Sequence, residues 1–535
     1  MACQIDYLKS QTPSNLDEGS SSSRADSFNT PLSTELCRQA ADAENGALFN
    51  ENKTHTRPDG ATVFQTSLNA AKLCVGTGTL ALPFAAEKGG LLLNVVGLGL
   101  IGLWNYYSAN CLLRCVEYLP QIDAADVKGV VRGSFSSMTD LIEQPVYGTM
   151  DSNSGTNKEP TKHRYAQIGS IPPPPNGTTT YGVVAWYASG PKGLMVIDLL
   201  MILLFFGILI AYAVAMQGFI NDTPLTTGSR RVDLLIPMAI VALLSCAPDI
   251  GFLSKFSGMG LLAVGLSFIV ISWQGFEENG FSGFRGALEL NLWPASLSTA
   301  SSWFGVVVFG YGVVPFVFNF RYVHSSIIEK NSLGSSTMSS CRDSMANPHQ
   351  IGLALQIGLF LVFVGYIMMS NGIMVLFSPS HVFDGDVLQA MPNNWISLIV
   401  RLLMTLAVSV SAPLIVVPCA ELIEGKLAID RTQQSLHKRI VVRVGICIIC
   451  TVFSEFLGSG FVHIVSFFGC FCVAILGFVL PPLFCIQLSN QRKSARKGGL
   501  GVDSVLLCDA GVLVLGVITT VITSSLTFRE LMMEA

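Results

Sequence analysis

The chain has 535 residues, half of them hydrophobic and 13% charged, with a mean hydropathy of +0.53. Soluble domains carry about 25% charged residues, so this composition excludes an ordinary soluble protein and points to long apolar helices in a lipid bilayer, the form in which a spanning backbone satisfies its own polar groups. The net charge of −4 comes without the massed cations needed to neutralise phosphates, which excludes a nucleic-acid partner.

Residues 1–61 are polar and rich in Ser, Asn and Asp, and read as a disordered cytosolic N-terminus. They lack the apolar core and small-residue cleavage site of a signal peptide, so the first apolar helix is expected to act as an uncleaved signal. Residues 62–527 form the membrane domain. Its apolar segments are expected at 62–86, 91–118, 193–219, 232–248, 254–273, 301–320, 350–377, 395–423, 440–457, 460–488 and 503–527, about eleven helices in all. Segments 9 and 10 are divided only by Gly458-Ser459-Gly460. Between segments 2 and 3, residues 119–192 carry Pro172 to Pro175 and many Ser, Thr and Gly residues, and read as a long flexible cytosolic loop. Residues 528–535 are left as a short tail.

Lys and Arg mark the cytosolic side. With the N-terminus in the cytosol, the loops on that side hold Lys128, Lys255, Lys330, Lys438 and Lys493 among others, and the far side holds only Lys88, Arg230, Arg231, Arg285 and Arg529. Tyr147-Gly148-Thr149-Met150 fits a tyrosine-based sorting pattern. The Asn-x-Thr sites at Asn52 and Asn176 would then be cytosolic and unmodified, and Asn221 would face the far side. Most of the fourteen cysteines sit inside apolar segments, where free Cys behaves as a small hydrophobe. Cys447 and Cys450 form a C-x-x-C in this setting, so no metal or cofactor is implied.

Two segments are interrupted. The first carries Cys74-Val75-Gly76-Thr77-Gly78 and then Pro83, the sixth Gly310-Tyr311-Gly312 and then Pro315. Paired glycines weaken a helix and proline removes a backbone bond. Unwound backbone in a membrane is tolerated where it is buried in protein or lines a cavity. Breaks five segments apart match an inverted repeat of five helices plus five, with a small-molecule site between segments 1 and 6. Glycines serving close helix packing are the plainer alternative.

The stretch Ser67–Gly90 closely resembles the opening helix of the amino acid/auxin permease family: Lys72, three residues, Gly76-Thr77-Gly78, an apolar run, Leu82-Pro83, a small-residue pair and a Gly end. Segment 8, from Ser411 through Pro413 and Pro418 to Glu421, and the Pro481-Pro-Leu-Phe end of segment 10 are similar to further family patterns. The likeness is strongest to the proton-coupled and vacuolar amino acid transporter branch. It implies an all-α membrane protein of LeuT-like fold with discontinuous helices 1 and 6, and transport of small neutral amino acids. Gly76, Thr77 and Gly78 would hold the substrate's backbone groups. Gly310, Tyr311 and Gly312 would complete the pocket, with Tyr212 and Ser411 on segments 3 and 8 beside it.

Lys72 lies one turn before Gly76. Sodium-coupled relatives place an Asn there, and an ammonium would repel sodium and occupy its place, so Lys72 favours sodium-independent, proton-coupled transport; a lysine reaching to the interface is the alternative. The family's acid or histidine after the segment 6 break is missing here, where Gly312, Val313 and Val314 stand, so the proton carrier is unidentified. Asp198, Asp509 and Arg401 lie toward segment ends and are expected to be solvated at the interface; His463 is expected to be an ordinary loop histidine. Hydrolase and phosphate-loop motifs are missing, which argues against an enzyme. The expected function is a secondary active transporter with alternating access, in a vacuolar, lysosomal or plasma membrane. An uncoupled exchanger or facilitator and an amino-acid-binding sensor are the alternatives.

Overall fold

The structure, a computed structural model, describes residues 62–119, 174–175, 178–221, 223–246, 251–280, 290–319, 350–377, 387–388, 394–427, 429, 435–458, 460–495 and 504–534. All belong to one compact unit within Thr56–Ala535. The 1–61 segment, the Tyr147–Met150 pattern, Asn52 and Asn176 lie outside the described residues.

Among the described residues the fold is entirely helical, and helix is found at each of the eleven expected segments. Segment 1 divides into α1 (Val63–Cys74) and α2 (Leu82–Gly89), joined by a tight 3-10 turn at Thr77–Ala81. Then follow α3 (Leu91–Tyr118), α4 (Thr180–Asn221), α5 (Arg230–Ser245), α6 (Gly251–Asn279) and α7 (Leu297–Gly310). Segment 7 comprises α8 (Ile351–Ile367), a π-helical turn at Met368–Gly372 and α9 (Ile373–Phe377); segment 8 divides at Ala412 into α10 (Trp395–Ser411) and α11 (Pro413–Lys426). The chain ends with α12 (Leu436–Leu457), α13 (Phe461–Phe468), two π-helical turns, α14 (Leu480–Ala495) and α15 (Ser504–Glu534). Among the described residues, eight continuous stretches are long and apolar enough to cross a membrane, in segments 2, 3 and 6 to 11. Outward-facing apolar side chains such as Leu103, Phe360, Phe456 and Val521 are more than half exposed, as lipid-facing residues are in the absence of lipid.

Two boundaries differ from expectation. Residues 180–192, read as the end of the long loop, are helical: α4 begins at Thr180 and bends at Gly190, whose φ of 69° precedes Pro191. That bend hid the first three turns from a hydropathy reading. The supposed tail at 528–534 continues α15, covering part of a neighbouring surface with Leu531. The division of segments 9 and 10 stands where Gly458 takes a φ of 75°, a conformation that favours glycine.

Polar contacts tie the segment ends together in two groups. At one end, Arg114 of α3 pairs with Asp509 of α15 at 2.8 Å, and Lys426 of α11 with Asp198 of α4 at 2.6 Å. There too Glu424 meets Arg439 at 3.2 Å, and Arg443 donates to the Ser245 carbonyl at 2.6 Å. At the other end, Arg231 pairs with Glu455 at 3.1 Å, Ser298 and Ser302 donate to Glu530, and Leu91 donates to the Asn291 carbonyl at 3.0 Å. The grouping is the one that alternate up-and-down threading requires. Asp198 and Asp509 are therefore not solvated carboxylates as expected: they are 6% and 2% exposed, and basic partners from other segments offset the cost of burial. Arg401 is likewise buried and donates to the Leu388 carbonyl at 3.1 Å.

Helices α7 and α13 cross at backbone distance. A Cβ on Gly469 would lie 1.9 Å from the Gly305 carbonyl oxygen, and one on Gly305 would lie 2.2 Å from that of Ser466. Gly469→Ala is therefore expected to lower the stability of the purified protein by about 1–3 kcal/mol. Gly445→Ala, within α12 where an added Cβ meets nothing within 4 Å, should not lower the thermal unfolding temperature in detergent.

Candidate functional site

The first break arises where α1 runs out. Val75 still donates to Ala71, but Gly76 is extended at φ −137° and ψ −163°, and the chain re-enters helix through the 3-10 turn, with Pro83 in the first turn of α2 where its missing N–H costs nothing. Thr79 closes the turn, both its N–H and its hydroxyl donating to the Gly76 carbonyl, at 3.0 and 2.6 Å. Among the described residues the N–H groups of Gly76 and Gly78 have no acceptor. They stand at the start of a helical run, the positive end of its dipole. A Cβ on Gly76 would meet nothing within 4 Å, so open space adjoins this residue, whereas one on Gly78 would lie 2.9 Å from the Phe309 ring.

The second break follows the same logic. Helix α7 ends at Gly310, Gly312 donates to the Phe309 carbonyl, and the chain continues as a 3-10 turn over Val314–Asn319 that contains Pro315. Tyr311 caps α7 and is fully buried; its hydroxyl lies near Gly102 of α3 and has no hydrogen-bond partner among the described residues.

One side chain joins the two breaks. The Tyr366 hydroxyl of α8 lies 2.8 Å from the Cys74 carbonyl oxygen and 2.8 Å from the Gly310 carbonyl oxygen. These are the last carbonyls of α1 and α7. Tyr366 is fully buried, and its ring meets Tyr311 edge-on with centroids 5.2 Å apart. Below it the π-helical turn rotates Ser370 and Asn371 toward Asn94 of α3. Asn94 donates to Ser370 at 2.7 Å and to Asn371 at 2.6 Å, and accepts from the Trp303 indole at 2.8 Å. This buried network fixes segments 2, 6 and 7 around the breaks. The first break is also held from the side, where Val387 donates to the Leu80 carbonyl at 3.2 Å.

Gly76, Gly78, Gly310, Tyr311 and Gly312 are thus brought together, with Thr77 on the connecting backbone. Lys72 is half-buried in the last turn of α1, where the negative end of the helix dipole favours a cation. Tyr212 is half-buried on α4, and Ser411 is half-buried at the end of α10. His463 meets the Phe84 ring edge-on at 5.9 Å. It lines a separate cleft of about 240 Å3 with Lys88, Thr299, Ser302 and Glu530, in which none of the glycines of the breaks takes part. Tyr366, Asn94 and Trp303 escaped the sequence reading. The available signal was their polarity within apolar segments, as for Lys72.

A multi-pass helical protein whose two interrupted segments meet over free peptide groups has the build of a small-solute carrier. The chain belongs to the transmembrane amino acid transporter protein family, whose pattern matches residues 59–322 and 334–527; this is a transporter family and not an enzyme family. It is 23% identical over 487 residues to "Amino acid transporter ANT1" of Arabidopsis thaliana, covering 87% of this chain and 94% of that protein. It is 24% identical over 363 residues to "Solute carrier family 38 member 10" of Rattus norvegicus, covering 64% of this chain but only 30% of the rat protein's length.

Truncating Asn94 strands the Trp303 N–H in the core and removes the donor shared by Ser370 and Asn371, which keep their bonds to the Tyr366 and Leu91 carbonyls. Asn94→Ala is expected to cost about 1–3 kcal/mol. A double-mutant cycle with Trp303→Phe, followed by thermal unfolding, should show that the two losses are not additive.

Proposed function

We propose that the protein is a secondary active transporter of small neutral amino acids that binds its substrate at the two breaks. The observation that carries this reading is the polarity of the break itself. Free N–H groups at Gly76 and Gly78 stand at the start of one helical run, with open space beside Gly76, and the helix-end carbonyls of Cys74 and Gly310, which share the single Tyr366 hydroxyl, converge nearby. A carboxylate suits the first set and an ammonium the second. The α-amino acid carries both on one carbon. Backbone recognition of this kind accepts any such substrate, so size is limited by the walls, which Phe309 and Tyr311 supply.

Eleven crossings, with the N-terminus and the Lys- and Arg-rich loops in the cytosol, agree with the alternation of segment ends and with the charge asymmetry. The paired breaks at segments 1 and 6 support a LeuT-like five-plus-five repeat, with alternating access by movement of one bundle against the other. Lys72 beside the first break supports sodium-independent coupling: its ammonium repels a second cation. A proton is then the driving ion, and Tyr212 and Ser411 border the substrate from segments 3 and 8. A vacuolar, lysosomal or plasma membrane suits such a carrier.

The test is uptake of labelled alanine into proteoliposomes, with pH and sodium gradients imposed separately. Accelerated uptake with an inward proton gradient and indifference to sodium are expected; sodium dependence without pH dependence would refute the role of Lys72. Gly76→Leu puts a side chain into the open space on backbone that any residue can adopt. It should leave the protein folded and reduce uptake by at least about a hundredfold, the scale of loss for a misplaced substrate. Full uptake by that variant would remove the site from segment 1. Alanine binding without flux in the unmodified protein would make it a sensor instead.

A further inference from the structure

The Tyr366 hydroxyl stands where two carbonyl oxygens from different segments converge, 2.8 Å from each. Cys74 and Gly310 end their helices, so both carbonyls lack an intrahelical donor and carry the negative ends of two helix dipoles. No backbone N–H of the described residues reaches either one. A hydroxyl has one proton to donate, so this contact supplies two acceptors with a single donor. An ammonium has three donors and a full charge, and hydrogen bonds to charged groups are the stronger kind. The present occupant is therefore the weaker of two that the same pair of oxygens accepts.

Resting on the reading that substrate binds at the breaks, we infer that Tyr366 is a resident surrogate for the substrate's ammonium: its hydroxyl keeps the two helix ends satisfied and joined while the site is empty, and an α-amino acid displaces it on binding. Without such a donor, two buried carbonyls would be left unpaired in the empty carrier, a state that costs free energy in the interior. The displaced hydroxyl has a place to go. The Tyr311 ring lies beside it, edge-on at 5.2 Å, and the buried Tyr311 hydroxyl has no partner among the described residues. A short swing of Tyr366 toward Tyr311 would pair the two phenols. Joining α1 to α7 in the empty state and parting from them in the loaded one, Tyr366 acts as a positioning residue that links occupancy to the separation of the two helix ends.

Tyr366→Phe tests this directly, because it keeps the ring and removes the competing hydroxyl. Alanine and propionate serve as probes, differing in the ammonium alone, and binding to the full-length purified protein is measured by calorimetry. Alanine is expected to bind the variant about fivefold to tenfold more tightly than the unmodified protein, the equivalent of one hydrogen bond no longer broken. Propionate should gain nothing. Unchanged or weakened alanine binding by a folded variant would overturn the inference, as would an equal gain for propionate. Should the variant fail to fold, 3-fluorotyrosine placed at position 366 gives a second readout. Its fluorine resonance should shift with alanine and not with propionate, and a resonance indifferent to saturating alanine would equally overturn the inference. If alanine binds neither the unmodified protein nor the variant, the substrate site itself is at fault; if alanine binds and Gly76→Leu abolishes that binding, the site stands and the Tyr366 result is decided on its own.

Discussion

A peptide group inside a bilayer has no water to turn to, so each interruption of a helix must find its hydrogen bonds within the protein. The arrangement around segments 1 and 6 follows from that constraint. Breaking α1 at Cys74 and α7 at Gly310 frees carbonyls that would otherwise bond four residues onward. Tyr366 takes up both, which makes the two interruptions a single structural event. Its own placement depends on the π-helical turn beneath it, and that turn depends on Asn94 and Trp303. Four segments are thus committed to the geometry of two unwound stretches.

The remaining segments hold this assembly by different means. Segments 3, 4, 8 and 9 are linked at one end by Asp198, Lys426, Glu424, Arg439, Arg443 and the Ser245 carbonyl. Buried ion pairs of this sort contribute little net stability when measured against an apolar alternative. They do exclude other registers, because shifting one helix by a turn would leave a charge unpaired. The side chains of the breaks, by contrast, are mostly small, aromatic or aliphatic, and the polarity there is supplied by the backbone.

Much of this was legible in the sequence for a physical reason. Hydropathy reports a helix that must be apolar over its whole length, so the segments were visible, and glycine and proline break helices locally, so Gly76–Gly78 and Gly310–Gly312 were visible too. What escaped is what depends on distant pairing. Tyr366 and Cys74 are 292 residues apart, and Asn94 and Asn371 are 277 apart. A polar residue in an apolar segment announces that it has a partner without naming it. Asp198 and Asp509 were misread in the same way: their positions near helix ends suited solvent, while the partners that bury them lie on other segments. The early start of α4 was hidden because Gly190 and Pro191, ordinarily signs of a loop, here mark a bend within helical structure.

The crossing of α7 and α13 at Gly305 and Gly469 has a mechanical consequence. Where backbone touches backbone, no side chains remain to rearrange, so the two helices cannot slide along one another without losing the contact altogether. They can still turn about it. Were α7 to move, the crossing would serve as the fulcrum of a lever whose short arm carries Phe309 and Gly310 and whose long arm runs toward Leu297. On such a fulcrum a tilt that displaced Phe309 at one end of α7 would swing Ser298 and Ser302 relative to Glu530 at the other, gearing the two ends of this helix in opposite senses through a pair of residues that have no side chains at all.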